Sequence, residues 1–385
     1  MTESSLTKTR CPSVSYRQAG PGQKGGYPSD HRLRVHEVKT MQAWQVHEYG
    51  RPGEVLKLGE IAVPTPAPHQ ILVRVEAIAI NFNDLDGIHG RYRTVKPPLP
   101  FVPGMEVLGH VESCGEGAEN WLGKRVCTIP DGAFGGYAEY AVCPTAMTFE
   151  MPGHIDVAEA ASLYYPFHLA SLALFERGKL QPGETALIHA AAGGVGSAAI
   201  QLAKNAGARV IVTAGSDQKL ALCQELGADN LINYRTSDFA DEVNVLTEGR
   251  GADIILDSVG GAVTEDSLRC LAFNGRLMIL GFASGIEAED ESAITPRPLL
   301  FGNFSLCGVC HAYVDDPIEF RKLTGLNFPS HSSGVAMHEE ILTLFAKKKI
   351  RAVVGQQVTF NALPDVFDAI ESRTSVGRSI VVLDH

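Results

Sequence analysis

The 385-residue sequence predicts an α/β protein of two domains, one β-rich and one built on a doubly wound parallel sheet, and three observations lead there. The chain is longer than the roughly 250–300 residues at which a single core stops growing, and 45% of it is apolar, so it can bury two cores. From Met41 to Thr148, short apolar runs are punctuated by Pro and Gly at a spacing that suits strands. From Glu184 the texture changes to short apolar strands alternating with longer helical stretches, the pattern of a parallel sheet wound by right-handed crossovers.

Residues 1–40 are rich in Ser, Gly, Pro and basic side chains without apolar periodicity, and they read as a disordered tail of net charge +4. The tail is expected to be a non-native or upstream-start extension ahead of Met41; a transit peptide fits less well, because the glycines of 20–26 spoil an amphipathic helix. Strands are expected at 71–80, 107–112, 125–129 and 137–142 in the first domain, and at 186–189, 209–213, 230–232, 253–257, 276–280 and 305–309 in the second. Six strands is the count of a full dinucleotide fold. Strand-like segments at 351–355 and 379–383, around a helix at 362–371, are assigned back to the first domain. That domain is therefore expected over 41–166 and 312–385, interrupted by the parallel-sheet domain over 167–311.

A net charge of −11, with no basic stripe interleaved with aromatics, argues against nucleic-acid binding. No apolar run approaches the ~20 residues of a membrane span, and no signal peptide is evident, so the chain is expected in the cytoplasm. Its eight cysteines, scattered mostly through apolar segments, suit reduced thiols.

The chemistry begins after Thr185-Ala-Leu-Ile-His, where Ala190-Ala-Ala-Gly-Gly-Val-Gly opens a helix. This is the GxGxxG fingerprint with Ala191 in place of the first glycine, then Gly193 and Gly196. Gly193 admits a pyrophosphate close to the backbone, Gly196 lets helix and strand pack closely, and the N–H groups around Gly194 and Val195 at the helix's positive end hold the anion. Strand before and helix after make this a Rossmann dinucleotide site. An NAD site needs an acid at the tip of the second strand, and here the tip reads Ala214-Gly215-Ser216. Without the acid a 2′-phosphate is not repelled; Ser216 and Lys219 can donate to it and Tyr234 can cap it, so the expected cofactor is NADPH. Asp217 is expected to cap the following helix.

At this point the residues resemble the zinc-independent medium-chain dehydrogenases/reductases, in the quinone oxidoreductase and zeta-crystallin branch. The likeness runs from about Met41 to Leu383 and rests on ordered blocks: Ile80-Asn-Phe-Asn-Asp, Gly90-Arg-Tyr, Pro100-Phe-Val-Pro-Gly-Met-Glu-Val-Leu-Gly, Gly135-Gly-Tyr-Ala-Glu-Tyr, the glycine turn, Ile232-Asn-Tyr-Arg and Asp257-Ser-Val-Gly-Gly. The resemblance implies a GroES-like catalytic domain beside the Rossmann domain, with the active site in the cleft between them, and a homodimer. It implies that Asn81, Asp84 and Tyr92 line the substrate side. It also implies cofactor contacts by Ser258, Val259, Gly281 and Phe282, which agrees with ligands lying at the carboxyl ends of parallel strands. Where zinc relatives carry a catalytic Cys and His, this sequence has the Asn81 block and Met105, and the four-cysteine structural lobe is missing, so no metal is expected.

Cys307-Gly-Val-Cys-His311 spells a haem-attachment or redox motif. It falls on the sixth strand expected above, where buried structural thiols are the expectation. With no metal and no evident nucleophile, the implied chemistry is hydride transfer to a quinone or similar electron-poor acceptor. Two alternatives stand: reduction of a C=C bond in an enone or enoyl thioester, with Tyr92 and then Tyr165 as candidate acids, and a non-catalytic, crystallin-like NADPH-binding protein.

Overall fold

The computed structural model describes residues 39–92, 96–285 and 296–384; the expected tail lies outside them up to Val38. The chain opens with an antiparallel pair, β1 (Thr40–Val46) and β2 (Leu56–Ala62), joined through the short helix α1 (Pro52–Val55). There follow β3 (Gln70–Ala79), α2 (Phe82–His89), β4 (Val107–Cys114), β5 (Arg125–Thr128), β6 (Tyr140–Pro144) and β7 (Thr148–Glu150). Helix α3 (Val157–Ser171) leads to β8 (Thr185–Ile188), α4 (Gly194–Asn205), β9 (Arg209–Ala214), α5 (Asp217–Glu225), β10 (Asn230–Asn233), α6 (Phe239–Leu246) and β11 (Ala252–Asp257). Then come α7 (Ala262–Ser267), β12 (Leu271–Ile279), α8 (Pro296–Gly302), β13 (Ser305–Gly308), α9 (Pro317–Thr324), α10 (His331–Ala346), β14 (Val354–Thr359), α11 (Val366–Glu371) and β15 (Arg378–Val382).

The parallel sheet runs β10-β9-β8-β11-β12-β13, so the strand order reverses between β8 and β11. Each of the four β8 residues is buried, as a central parallel strand covered by helices on both faces requires. The other sheet runs β14-β15-β3-β4-β5-β7, with β6 also paired to β3, and it alternates half-buried and exposed positions along β14. The C-terminal strands β14 and β15 thus return to the sheet of the N-terminal half. The pair β1 and β2, which the strand pattern did not pick out, touches this sheet through bridges from Ala43 to Ala138 and from Val46 to Phe101.

Two separate cores are not what forms. One apolar cluster runs from Leu108 and Phe149 through α3 (Leu163, Phe167, Ala170) to Ile188 and Val210 of the parallel sheet. Most residues around α3 are buried, so the helix serves both sheets at once. A second cluster fills the β-rich sheet around Ile71, Val75 and Tyr137, and a third lies around Leu187, Ile211 and Ile255 with α6.

Candidate active site

A cleft of about 380 Å³ runs from the tips of β8, β9, β11 and β12 past the glycine turn to the start of α2 and the start of β15. It opens where the strand order reverses, the place at which ligands bind in such sheets.

The turn between β8 and α4 forms the floor. Ala190 sits at φ 48, a left-handed strain of the kind that collects at functional turns. Gly193 is the cap residue, extended at φ −79, and α4 begins at Gly194. A Cβ on Gly196 would lie 2.6 Å from both Ala190 O and Ala191 Cα, so only glycine lets the helix come this close. The turn is tied to the other sheet, because the Gly377 N–H donates to Ala192 O at 2.8 Å and a Cβ on Gly194 would meet Arg378 Cδ at 2.5 Å.

At the tip of β9, Gly215 packs under Tyr234; a Cβ there would stand 2.6 Å from Tyr234 Oη. Around this tip gather Lys219, Arg235 and Arg373. Burial lowers the pKa of Lys219, and the neighbouring Arg235 and Arg373 lower it further. Lys219 Nζ donates to Arg373 O at 2.8 Å, and among the described residues none of the three cations forms an ion pair. Ser216, expected to face a phosphate, instead caps α5 by accepting from Lys219 N, while Asp217, expected as the cap, accepts from Asn233 Nδ2 at 3.2 Å. With Ser216 as the cap, Asp217 falls inside the first turn of α5. Gly193, Gly194, Val195, Gly196, Gly215, Lys219, Tyr234, Ser258, Val259, Gly281 and Phe282 all line the cleft. Ala191 is fully buried beneath it.

At the other end a buried polar network fixes the wall. Arg378 pairs with Glu106 and donates from Nη1 to Asn81 Oδ1 at 2.8 Å. Asn81 Nδ2 donates to Ala79 O at 3.1 Å and to Glu106 Oε2 at 3.0 Å, and Glu106 Oε1 accepts from the Tyr165 N–H at 3.0 Å. Burial raises the carboxyl of Glu106, opposed by Arg378 and Asn81. Arg378 Nε is buried without a partner although its residue lines the cleft. Asn81 reaches the cleft as the resemblance implied, but Asp84 does not: its carboxylate accepts from Asn81 N at 2.8 Å and Met105 N at 3.0 Å and fixes the entry to α2. Burial pushes Asp84 up to about 7 against those donors and the Tyr137 hydroxyl. Tyr92 is half-buried beside α2 near Gly87 and is not part of the cleft lining; burial and Asp86 hold its phenol above the ordinary range.

Arg235, Arg373 and Arg378 escaped sequence reading. The last two lie about 160 residues beyond the second strand and reach the cleft only because β15 returns to it. The Cys307 and Cys310 expectation also needs correction: Cys307 on the edge strand β13 is half-buried and Cys310, past its end, is exposed. Among the described residues no group of three or more His, Cys, Asp or Glu is placed to hold a metal ion.

The site fits a phosphorylated dinucleotide on three counts: a turn whose Gly196 tolerates no Cβ, an unpaired cationic cluster at the β9 tip, and an orphaned guanidinium N–H beside Gly194. Two family models match the chain, the alcohol dehydrogenase GroES-like domain over residues 67–153 and the zinc-binding dehydrogenase over 194–326. A quinone oxidoreductase of Rattus norvegicus is 33% identical over 348 residues, which are 90% of this chain and 98% of that one. A mycobacterial protein solved in complex with NADPH superposes with a TM-score of 0.76 at 29% identity, covering 89% of this chain and 99% of the other. A quinone oxidoreductase of Pseudomonas syringae has a TM-score of 0.76 at 28% identity with the same coverage.

Proposed function

The chain belongs to the quinone oxidoreductase branch of the medium-chain dehydrogenases/reductases, and from that premise we propose that it reduces a quinone, or a similarly flat electron-poor acceptor. It is an oxidoreductase with NADPH as cofactor. The observation that carries the reading is one continuous cleft joining the cationic tip at Gly215, the glycine turn and the apolar side chains Ile80, Phe82 and Leu169.

When bound, NADPH supplies a hydride. The chain's own part is to seat and orient. Gly193 to Gly196 and the start of α4 hold the pyrophosphate, and Lys219, Arg235, Arg373 and Tyr234 meet the 2′-phosphate. Ser258, Val259, Gly281 and Phe282 flank the seat from the tips of β11 and β12. The Arg378–Glu106–Asn81 network holds the wall opposite the turn, so that the acceptor meets a fixed surface. A CoA thioester is a weaker fit, since Arg91 is paired with Asp86 and Lys96 lies over the Tyr49 ring. Arg93 lies outside the described residues.

We further propose a homodimer formed through β13. That strand ends the parallel sheet with its outer edge unpaired among the described residues, and Leu306 on it and Leu300 and Phe301 on α8 are exposed. Light scattering on the eluting protein is expected to give twice the chain mass, and Leu306→Lys to give the single mass; a wild-type monomer removes the proposal. No described helix is long and apolar enough to cross a membrane, and the seven described cysteines are free thiols, which supports placement in the reducing cytoplasm.

The deciding test is stopped-flow oxidation of NADPH and NADH with a benzoquinone, an enone and crotonyl-CoA. Quinone turnover with NADPH is expected to lead. Reduction of the enone or thioester alone would replace the quinone reading.

A further inference from the structure

The polar groups near the acceptor end of the cleft are mostly spent. Both amide hydrogens of Asn81 go to Ala79 O and Glu106, and its oxygen faces Arg378. Asp84 is consumed by backbone N–H groups, and Tyr92 lies off the lining. Tyr165 is different. It lines the cleft from α3 together with Ile80, Asn81, Phe82 and Leu169, and among the described residues its hydroxyl makes no hydrogen bond to the protein.

Its placement is rigid. The Tyr165 N–H is held by Glu106 Oε1 at 3.0 Å, the same carboxylate that holds Asn81 and Arg378. On its far side the ring packs edge-on against His311, centroids 4.9 Å apart at 65°. His311 is itself walled in by Tyr164, His168 and Tyr313 at 5.1, 5.5 and 5.3 Å. A residue with its backbone N–H tied and its ring packed on His311, carrying one uncommitted donor beside apolar side chains, is a preorganised hydrogen-bond donor.

We propose that Tyr165 is a catalytic residue, whose phenol donates a hydrogen bond to the acceptor oxygen on which negative charge gathers. The proposal deepens the quinone-reductase reading and rests on it. The balance is simple: a C–H bond of NADPH breaks and its hydride, with two electrons, forms one O–H bond of the hydroquinone, the other quinone oxygen becomes an oxyanion, and a proton from solvent completes the product, leaving NADP⁺. The phenol O–H bond is not broken. Burial, with Cys310 and Glu106 nearby and Arg378 opposing, raises the phenol above its ordinary value, so it is a donor at neutral pH.

The test compares wild type with Tyr165→Phe, which removes one oxygen that holds no other part of the protein in place, so an unchanged melting temperature and NADPH affinity are expected. The rate of hydride transfer is expected to fall about 10- to 100-fold, the range for a hydrogen bond to a charged oxygen, and to fall more for quinones whose reduced oxygens are more basic. Binding of 4-nitrophenolate to the NADP⁺-loaded protein, read from its absorbance, is expected to weaken about tenfold without any turnover. A Phe variant as fast as wild type, an equal loss with every acceptor, or unchanged nitrophenolate binding would overturn the assignment. Wild-type turnover decides the quinone reading separately: if only the enone is reduced, that reading falls and the ratio of Tyr to Phe rates on the enone still judges Tyr165.

Discussion

Lys219 is the residue on which the proposed choice between two nearly identical cofactors turns. Its ammonium stands with Arg235 and Arg373 around a strand tip that carries Gly215 where an acid would favour NADH. Like charges this close disfavour one another until an anion joins them, so on the proposed reading a 2′-phosphate would be favoured by relief as well as by contact. Lys219→Ala is expected to weaken NADPH binding by about 1–3 kcal/mol and NADH binding hardly at all, as titration calorimetry with both would show. Equal losses would remove Lys219 from the phosphate. Asp84 makes a different kind of statement. Its folded pKa of about 7 exceeds the unfolded value near 3.8, so its contribution to stability is full below about pH 4 and is lost as pH rises toward 7. Urea denaturation should therefore show Asp84→Asn gaining on wild type across that window by on the order of 3 kcal/mol, whatever fixed cost the lost carboxylate imposes. A difference that stays constant with pH would mean that Asp84 is ionised throughout. The types of these residues were plain in the sequence; their duties were not, because whether a carboxylate faces a cleft or a helix entry is decided by neighbours such as Met105, distant along the chain.

At the scale of elements, the segment from β8 to α4 was the most legible part of the chain. Its strand, turn and helix lie within 21 residues, so local spacing alone specifies them. Gly196 is the strictest point. Gly196→Ala forces a methyl against Ala190 O and Ala191 Cα, and the expected result is a loss of about 1–3 kcal/mol in stability with a larger loss of NADPH affinity. Thermal denaturation and fluorescence titration would check it; a variant binding NADPH normally would mean that the turn can relax. The pair β1–β2 and the true length of β12 (Leu271–Ile279) were missed. β12 carries Asn274 and Gly275 in its middle, residues that read as a turn, and an apolar run broken in that way loses its period. Cys307 is half-buried because a terminal strand at a sheet edge has one open side, which periodicity does not reveal, and Cys310 is exposed because β13 ends at Gly308.

For the whole molecule, the join between the two sheets is the feature with the clearest thermodynamic signature. Tyr313 Oη donates to His168 Nδ1 at 2.9 Å, His168 Nε2 donates to His338 Nδ1 at 3.0 Å, and His338 Nε2 donates to Glu150 O at 3.1 Å. The carbonyl at the end can only accept, which fixes both imidazoles as neutral tautomers along the chain of bonds. The bonds link β7, α3, α10 and the segment after β13. Burial lowers His338 to about 4 and His311 to about 3, and His168 well below the ordinary value. Folded values below the unfolded 6.5 mean that this stability is complete above pH 6.5 and is lost as pH falls toward 4. His338 alone should account for roughly 3 kcal/mol at the acid end, and His338→Gln should flatten the fall measured by denaturant titration at successive pH values. An unchanged slope would place the acid sensitivity elsewhere.

The sequence by itself determined the two sheets, the glycine turn and the preference for a phosphorylated cofactor, because each depends on residues close together and on periods of two or 3.6 that short-range sterics impose. Only the tertiary structure decided that α3 fuses the cores of both sheets, that Arg373 and Arg378 arrive at the cleft from the far end of the chain, and that Asn81 and Asp84 are engaged while the Tyr165 hydroxyl makes no hydrogen bond among the described residues. Those outcomes follow from which buried polar atoms find one another once the chain has closed, and burial selects such pairs by distance in space, to which separation along the sequence is no guide.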